Sequence, residues 1–133
     1  MAFVQANGLA FHVADRGERE KPAIVFSNSL GSDFRIWQEV ADRLVGRYRI
    51  LLYDKRGHGL SDAPPGPYTI DDHTDDLLAL LDHFGIANAA VVGVSVGGMI
   101  AQRLAARAPQ RVKALVLCST ATKIGTAESW AAR

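Results

Sequence analysis

The chain has 133 residues and a mass of 14.3 kDa, and its hydrophobic (48%) and charged (22%) fractions are those of an ordinary globular domain. Lys and Arg number 15 against 14 acidic residues, so the net charge of +1 gives no electrostatic reason to expect a nucleic acid or an anionic membrane as partner. The single cysteine, Cys118, excludes an internal disulfide framework and a multi-thiolate zinc site. Since the sequence shows neither a signal-peptide pattern nor a membrane-spanning apolar run, we expect a cytoplasmic protein.

Strand-like and helix-like segments alternate along the chain. The dipeptide Asn7-Gly8 separates the first two strands and is typical of a tight hairpin, because both residues tolerate positive φ. The later apolar runs lack clean alternation, which is typical of parallel strands buried on both faces. The six predicted strands are residues 3–6, 9–14, 23–26, 48–53, 90–94 and 113–118.

Three helices are predicted between these strands, at residues 34–45, 69–84 and 96–107. The first is expected to turn Trp37, Val40 and Ala41 toward the core. The second is expected to begin at Thr69 as N-cap, since acidic residues follow in its first turn. A hairpin followed by βαβ units predicts an α/β fold with a mostly parallel sheet flanked by helices.

One motif carries chemistry. Residues 93–98 read Gly-Val-Ser-Val-Gly-Gly at the junction of a predicted strand and helix, and G-x-S-x-G in this context is typical of a turn that holds the serine hydroxyl above the sheet. The helix N-terminus behind Ser95 offers backbone N–H groups to a developing oxyanion. We therefore predict that Ser95 is a nucleophile. A dinucleotide-binding loop is a poor alternative, because Ser95 stands where that fingerprint requires its second glycine.

Two further loops follow strands at the same edge of the predicted sheet. Residues 27–32 (SNSLGS) can supply a second oxyanion N–H, although a simple polar connection is the alternative. In residues 54–61 (DKRGHGLS), Asp54 and Arg56 are expected to brace the path of the loop rather than perform chemistry. The acidic residues within 71–76 lack the glycine and spacing of a calcium loop, so we expect a solvated helix start.

The chain resembles the N-terminal half of an α/β-hydrolase, and more narrowly of the enol-lactonases. The resemblance covers essentially the whole chain and rests on SNSLGSD, YDKRGHGLSDAPPGPYTI and GVSVGGMIAQRLA. It implies that Ser95 is the nucleophile, that the backbone N–H groups of Leu30 and Val96 form an oxyanion hole, and that Ser29 lies beside the substrate. The implied reaction is hydrolysis of 3-oxoadipate enol-lactone to 3-oxoadipate in the catabolism of aromatic compounds, with no cofactor and no metal.

The same resemblance predicts the organisation of the chain. Residues 1–120 are expected to form the N-terminal part of the hydrolase core, and residues 121–133 the start of a cap segment in which Trp130 contacts substrate. No histidine follows Ser95 and Glu128 is the only later acid, so the usual order of serine, acid and histidine cannot be completed. The earlier histidines are expected to be surface or capping residues, with His58 the best placed; all four are His12, His58, His73 and His83.

We therefore expect a complementary C-terminal chain to supply the base and the acid. It should also cover the apolar edge formed by residues 113–118. Without it, we expect the 133-residue chain to be inactive. Two other functions remain open. A general carboxylesterase or a cofactor-free perhydrolase would share the D-x-R-G-x-G-x-S and G-x-S-x-G-G motifs. A non-catalytic half-domain would instead bind a partner through the uncovered strand, but such a module would not need a strained serine.

Overall fold

The computed structural model describes residues 1–120, which form one six-stranded sheet with helices on both of its faces. The strand order is β1-β2-β4-β3-β5-β6. Strand β2 is antiparallel to its neighbours β1 and β4, and the adjacent strands β4, β3, β5 and β6 are parallel to one another. The six predicted strands are confirmed, each end within two residues of the prediction. Their bounds are β1 (Ala2–Ala6), β2 (Leu9–Arg16), β3 (Ala23–Ser27), β4 (Arg49–Tyr53), β5 (Ala89–Val94) and β6 (Val112–Cys118).

The helices are α1 (Gln38–Leu44), α2 (Ile70–His83) and α3 (Val96–Arg107). As predicted, Thr69 caps α2: its hydroxyl accepts from the backbone N–H of Asp72 at 3.0 Å, and the Asp72 carboxylate accepts from the N–H of Thr69 at 2.8 Å. None of the helices in residues 1–120 is long and apolar enough to cross a bilayer.

The prediction of one continuous helix over residues 34–45 was wrong. Phe34–Trp37 form a 3-10 turn that precedes α1, and Asp33 caps this turn by accepting from the N–H of Arg35 at 2.9 Å. A 3-10 turn has three residues per turn instead of 3.6, so it rotates the positions that follow it. Val40 is consequently 42% exposed, whereas Ala41 is fully buried.

The core consists of two apolar clusters, one on each face of the sheet, because successive strand residues point to opposite sides. In β3, for example, Val25 packs under α2 and α3, while Phe26 packs under α1 and the 3-10 turn. The sheet thereby fixes the carboxyl ends of β3, β4 and β5 side by side, and the loops that follow these three strands contain the predicted site.

Strand β6 is the sheet edge within residues 1–120, as predicted, because it pairs with β5 alone. The expectation that this run is buried on both faces was wrong. Leu115, Val116 and Leu117 are 38%, 50% and 41% exposed, and Cys118 is exposed as well. With a strand neighbour on one side only among the described residues, β6 presents an apolar surface at the end of the sheet.

Candidate active site

Ser95 occupies the sharp turn between β5 and α3. Its backbone has φ 56° and ψ −118°, a region that L-residues rarely adopt, and its side chain makes no capping hydrogen bond to α3. The predicted strand–turn–helix setting of Ser95 is therefore confirmed. Its role as a nucleophile stays a prediction.

Two glycines allow α3 to start directly against the neighbouring backbone. A Cβ on Gly97 would collide with the carbonyl oxygen of Ser27 and lie 2.8 Å from that of Asn28. A Cβ on Gly93 would lie 2.6 Å from the backbone nitrogen of Gly98. Because real side chains do not fit at these distances, the glycines of the motif are needed to bring the first turn of α3 onto the loop at residues 27–32.

A cavity of about 300 Å³ opens where these elements meet. Leu30 from the loop and Val96 from α3, the two residues expected to form the oxyanion hole, line it together. Within residues 1–120 the N–H of Leu30 donates to no other group. The other residues around the cavity are His58, Tyr68, Ile70 and His73.

The loop at residues 27–32 is held by its own polar side chains. Asn28 is fully buried, and its side-chain amide donates to the carbonyl oxygen of Ser32 at 2.5 Å. Gly31 has φ 76°, and the N–H of Ser32 donates to the carbonyl oxygen of Ser29 at 3.3 Å, which is the geometry of a turn with glycine in its third place. The hydroxyl of Ser29 lies 2.9 Å from that of Ser32, so it belongs to this network, and its predicted contact with substrate remains a prediction.

The histidines divide into those near the cavity and those away from it. His58 lies at the cavity as expected; its Nδ1 is 3.0 Å from the carbonyl oxygen of Arg56 and must donate to it, and burial lowers the pKa of its imidazole. His12 is 3.0 Å from the Asp54 carboxylate, and His83 is exposed, as a surface residue should be.

The expectation of a surface or capping role for His73 was wrong. It is 8% exposed, because the start of α2 packs across the loop after β4, and the ring of Tyr68 meets it edge-on at 6.0 Å. Burial, reinforced by the charge of Lys55, lowers the pKa of His73 to about 4, so this imidazole is neutral near pH 7. Its Nδ1 has no hydrogen-bond partner among the described residues.

Asp54 and Arg56 brace the loop after β4, as predicted. Asp54 is 2% exposed and accepts from the N–H groups of Phe34 at 2.9 Å and Leu60 at 3.0 Å. Arg56 forms a two-pronged ion pair with Asp76 in α2, at 2.6 and 2.8 Å. Both contacts tie the loop to separate elements, so these charges fix the backbone.

Three of the four acids within residues 71–76, namely Asp71, Asp75 and Asp76, pair with arginines instead of being simply solvated, and the fourth, Asp72, belongs to the cap of α2. Asp71 contacts Arg103 at 2.7 Å at the surface, whereas Asp76 is only 1% exposed, so the expectation of a solvated face was wrong for Asp76. In the described part of the chain, no group of three or more His, Cys, Asp or Glu side chains could hold a metal ion.

Sequence reasoning missed Lys55. It is 1% exposed, and its ammonium donates to the carbonyl oxygens of Asn28 at 2.9 Å and Ser29 at 3.1 Å. Burial lowers its pKa to about 7, against the attraction of the Asp54 carboxylate. Its position in the sequence could have indicated a role at the site, because Lys55 comes two residues after β4, at the end of the sheet where open α/β folds bind ligands. Trp130 and the predicted cap segment at residues 121–133 lie outside the described residues.

Known proteins are similar to this chain in both sequence and structure. Residues 22–132 match the model of the alpha/beta hydrolase fold family. A 3-oxoadipate enol-lactonase of Acinetobacter baylyi is 42% identical over 128 residues, which are 96% of this chain and 48% of that protein. The crystal structure of the enol-lactonase from Burkholderia xenovorans LB400 superimposes with a TM-score of 0.95 at 44% identity, over 98% of this chain and 51% of that one.

More distant similarity extends to other chemistry in the same fold. A thermophilic esterase from Thermogutta terrifontis superimposes with a TM-score of 0.89 at 26% identity, over 97% of this chain and 49% of the esterase. The chain thus spans about half the length of the relatives it matches. The family match over most of the residues, together with the six-stranded sheet and the strained serine turn, shows that this chain belongs to the α/β-hydrolase fold family.

Proposed function

We propose that this chain carries the nucleophile and the oxyanion donors of a serine hydrolase whose substrate is 3-oxoadipate enol-lactone. The observation that supports this most directly is the backbone of Ser95, at φ 56° and ψ −118° in front of α3, beside a cavity lined by Leu30 and Val96. Strain of this kind is retained where it serves a site. The similarity to two enol-lactonases supports the choice of substrate.

In the proposed reaction, Ser95 Oγ attacks the lactone carbonyl carbon while a general base removes its proton. The carbonyl oxygen becomes an oxyanion that accepts from the N–H groups of Leu30 and Val96. Collapse of this intermediate breaks the ring C–O bond, and the leaving enol oxygen takes the proton back from the base. A water molecule, deprotonated by the same base, then cleaves the acyl-serine ester, and the base returns that proton to Ser95 Oγ. The enol acid that is released tautomerises to 3-oxoadipate.

We propose that the base and the acid that orients it come from a complementary C-terminal chain. The chain spans about half the length of the relatives it matches. Within the described residues, neither His58, whose Nδ1 donates to the carbonyl oxygen of Arg56, nor His73 is hydrogen-bonded to the Ser95 hydroxyl. The exposed apolar strand β6 is the surface against which such a chain would continue the sheet. The cytoplasmic location expected from the sequence is part of the same proposal.

Turnover of the enol-lactone by the chain together with its complementary half tests the proposal. We expect Ser95→Ala to lower kcat by about 10⁴-fold or more, because the nucleophile is removed. Gln110→Ala is the control, since Gln110 is exposed and precedes the start of β6, at the opposite end of the sheet from Ser95. Activity that survives Ser95→Ala, or no activity with both halves present, would overturn the proposal; the latter result would favour a non-catalytic binding half-domain.

A general carboxylesterase or perhydrolase is the second candidate, favoured by the similarity to the Thermogutta terrifontis esterase. Both candidates use the same serine and oxyanion donors, so the substrate alone distinguishes them. A higher kcat/KM for p-nitrophenyl esters than for the enol-lactone would support the esterase. The reverse order would support the lactonase.

A further inference from the structure

The carbonyl oxygen of Ser29 is surrounded by hydrogen-bond donors. The Lys55 ammonium lies 3.1 Å away, the Ser32 hydroxyl 2.8 Å, the Ser32 N–H 3.3 Å and the Asn28 side-chain amide 3.4 Å. A carbonyl oxygen has two lone pairs, so four donors around one such atom are more than backbone pairing requires. One of the four is a buried lysine, and a charged group is costly to bury unless its partners compensate.

The position of this carbonyl explains the arrangement. The oxygen of Ser29 and the N–H of Leu30 belong to one peptide unit, and the described residues contain no cis peptide bond. In a trans peptide the C=O and N–H point in opposite directions. Donors that hold the oxygen of Ser29 toward the protein interior therefore hold the N–H of Leu30 outward, where Leu30 lines the cavity and its N–H has no other partner in residues 1–120.

We propose that Lys55 is a positioning residue of the oxyanion hole, which acts through the Ser29–Leu30 peptide by fixing its orientation and by polarising its N–H. This inference rests on the proposed function of Leu30 as an oxyanion donor. A positive charge on the carbonyl oxygen draws electron density from the amide and makes its N–H a stronger donor, as in a cooperative chain of hydrogen bonds. Lys55 thus stabilises the oxyanion without touching substrate.

Among the described residues, Lys55 has three titratable groups close to it: Asp54, His58 and His73. Asp54 precedes it and favours the ammonium form, whereas His58 and His73 face it from the cavity and are neutral above their lowered pKa values. The pKa of Lys55, lowered by burial to about 7, therefore lies apart from that of His73 at about 4. Because the pKa of His58 is lowered from its usual value near 6.5 as well, titration above about pH 7 reports on Lys55 more than on these imidazoles.

Nuclear magnetic resonance tests the proposal without requiring turnover. In ¹⁵N-labelled protein we expect the amide proton of Leu30 to move upfield as the pH rises through 7, because its peptide loses the neighbouring charge. Lys55→Met should give the upfield position at every pH, and Lys55→Arg should keep the downfield position. Lys21→Met is the matched control, since Lys21 is exposed and remote from the loop. A Leu30 amide that neither titrates in the unmodified protein nor differs between Lys55→Met and Lys21→Met would overturn the inference.

Kinetics separate this inference from the proposed function. With the complementary half present, we expect Lys55→Met to lower kcat, by no more than the roughly 10²–10³-fold that loss of a whole oxyanion donor costs, and to leave KM unchanged. If turnover depends on Ser95 but kcat is the same in Lys55→Met as in Lys21→Met, the positioning role is refuted and the hydrolase stands. If the Leu30 amide responds to Lys55 while the two halves together turn over no lactone, Lys55 orients and polarises this peptide, but the proposed hydrolase is refuted.

Discussion

The backbone N–H of Ser95 donates to the carbonyl oxygen of Cys118 across 3.0 Å. Two residues further on, the hydroxyl of Thr120 donates to the carbonyl oxygen of Ser95 at 2.6 Å. Both the N–H and the carbonyl group of Ser95 are therefore hydrogen-bonded to the last residue of β6, the exposed edge strand, or to the segment directly after it. Whatever covers β6 is structurally connected to the proposed nucleophile.

Replacing Ser95 by glycine should stabilise the fold. A Cβ at φ 56° and ψ −118° is strained, and glycine adopts this region freely. We expect Ser95→Gly to raise the free energy of unfolding by about 1 kcal/mol relative to Ser95→Ala, while both variants lack activity. Urea unfolding of the two variants measures the difference. Equal stabilities would mean that the turn carries no strain in solution.

Gly97→Ala should be strongly destabilising. The added Cβ would collide with the carbonyl oxygen of Ser27 and lie 2.8 Å from that of Asn28, and both are backbone atoms that cannot rotate away. We expect a loss of about 1–3 kcal/mol, the usual cost of overpacking. Gly46→Ala is the control, because nothing lies within 4 Å of a Cβ there. A loss of similar size in the two variants would show that close packing of α3 on the loop is not the cause.

The sequence contained enough local information to predict the elements that position the site. Asn7-Gly8 predicted the hairpin, Thr69 and Asp72 the start of α2, and the glycines around Ser95 the turn, because each depends on residues adjacent in the chain. A turn or a cap is stabilised locally, so its signal survives without knowledge of tertiary contacts.

The parts that could not be predicted depend on contacts distant in sequence. His73 looked like a helix-surface residue, and only the packing of Tyr68 and the loop after β4 across α2 buries it. Lysine is a residue type usually found at the surface, and the carbonyl groups that Lys55 contacts, those of Asn28 and Ser29, lie 27 and 26 positions away in the sequence. Binary patterns of polar and apolar residues misassign such side chains, because the burial of a charge depends on the groups that contact it in the folded protein and not on the residues next to it in the sequence.

Removal of the carboxylate of Asp76 should cost far more than removal of an exposed one. Asp76 and its partner Arg56 have side-chain exposures of 2% and 15%, so Asp76→Asn leaves a guanidinium without its counter-ion. We expect a loss of about 3–5 kcal/mol in the free energy of unfolding. Asp71→Asn, at an exposed pair with Arg103, should cost less than about 1 kcal/mol. Thermal or urea unfolding of both variants decides; comparable losses would contradict the assignment of a buried brace.

Self-association through β6 should be reduced by a charge on its exposed face. Val116 is 50% exposed on the edge strand, and an uncovered apolar edge pairs with other chains. We expect Val116→Lys to lower the average mass seen in analytical ultracentrifugation at high protein concentration. Leu60→Lys, at a leucine that is 66% exposed away from β6, should leave that mass unchanged. If both substitutions lowered the average mass equally, the cause would be a general gain in solubility and not the loss of pairing at the β6 edge.

The burial of Lys55 should make stability depend on pH. Its pKa falls from 10.5 to about 7 in the folded state, so between these values the unfolded chain binds one more proton than the folded one. The free energy of unfolding is therefore highest above pH 10.5, where Lys55 is neutral in both states. It decreases as the pH falls and reaches its lowest level below about pH 7, where the ammonium is buried in the folded state.

Lys55→Met removes this dependence. The difference in free energy of unfolding between the unmodified protein and Lys55→Met should change by up to about 1.4 kcal/mol per pH unit between about pH 7 and pH 10, with the unmodified protein gaining as the pH rises. Lys21→Met should give a curve parallel to that of the unmodified protein, since an exposed lysine has nearly the same pKa folded and unfolded. Urea unfolding at several pH values provides the measurement. Parallel curves for Lys55→Met as well would show that Lys55 keeps its ordinary pKa and is solvated rather than buried beneath the oxyanion loop.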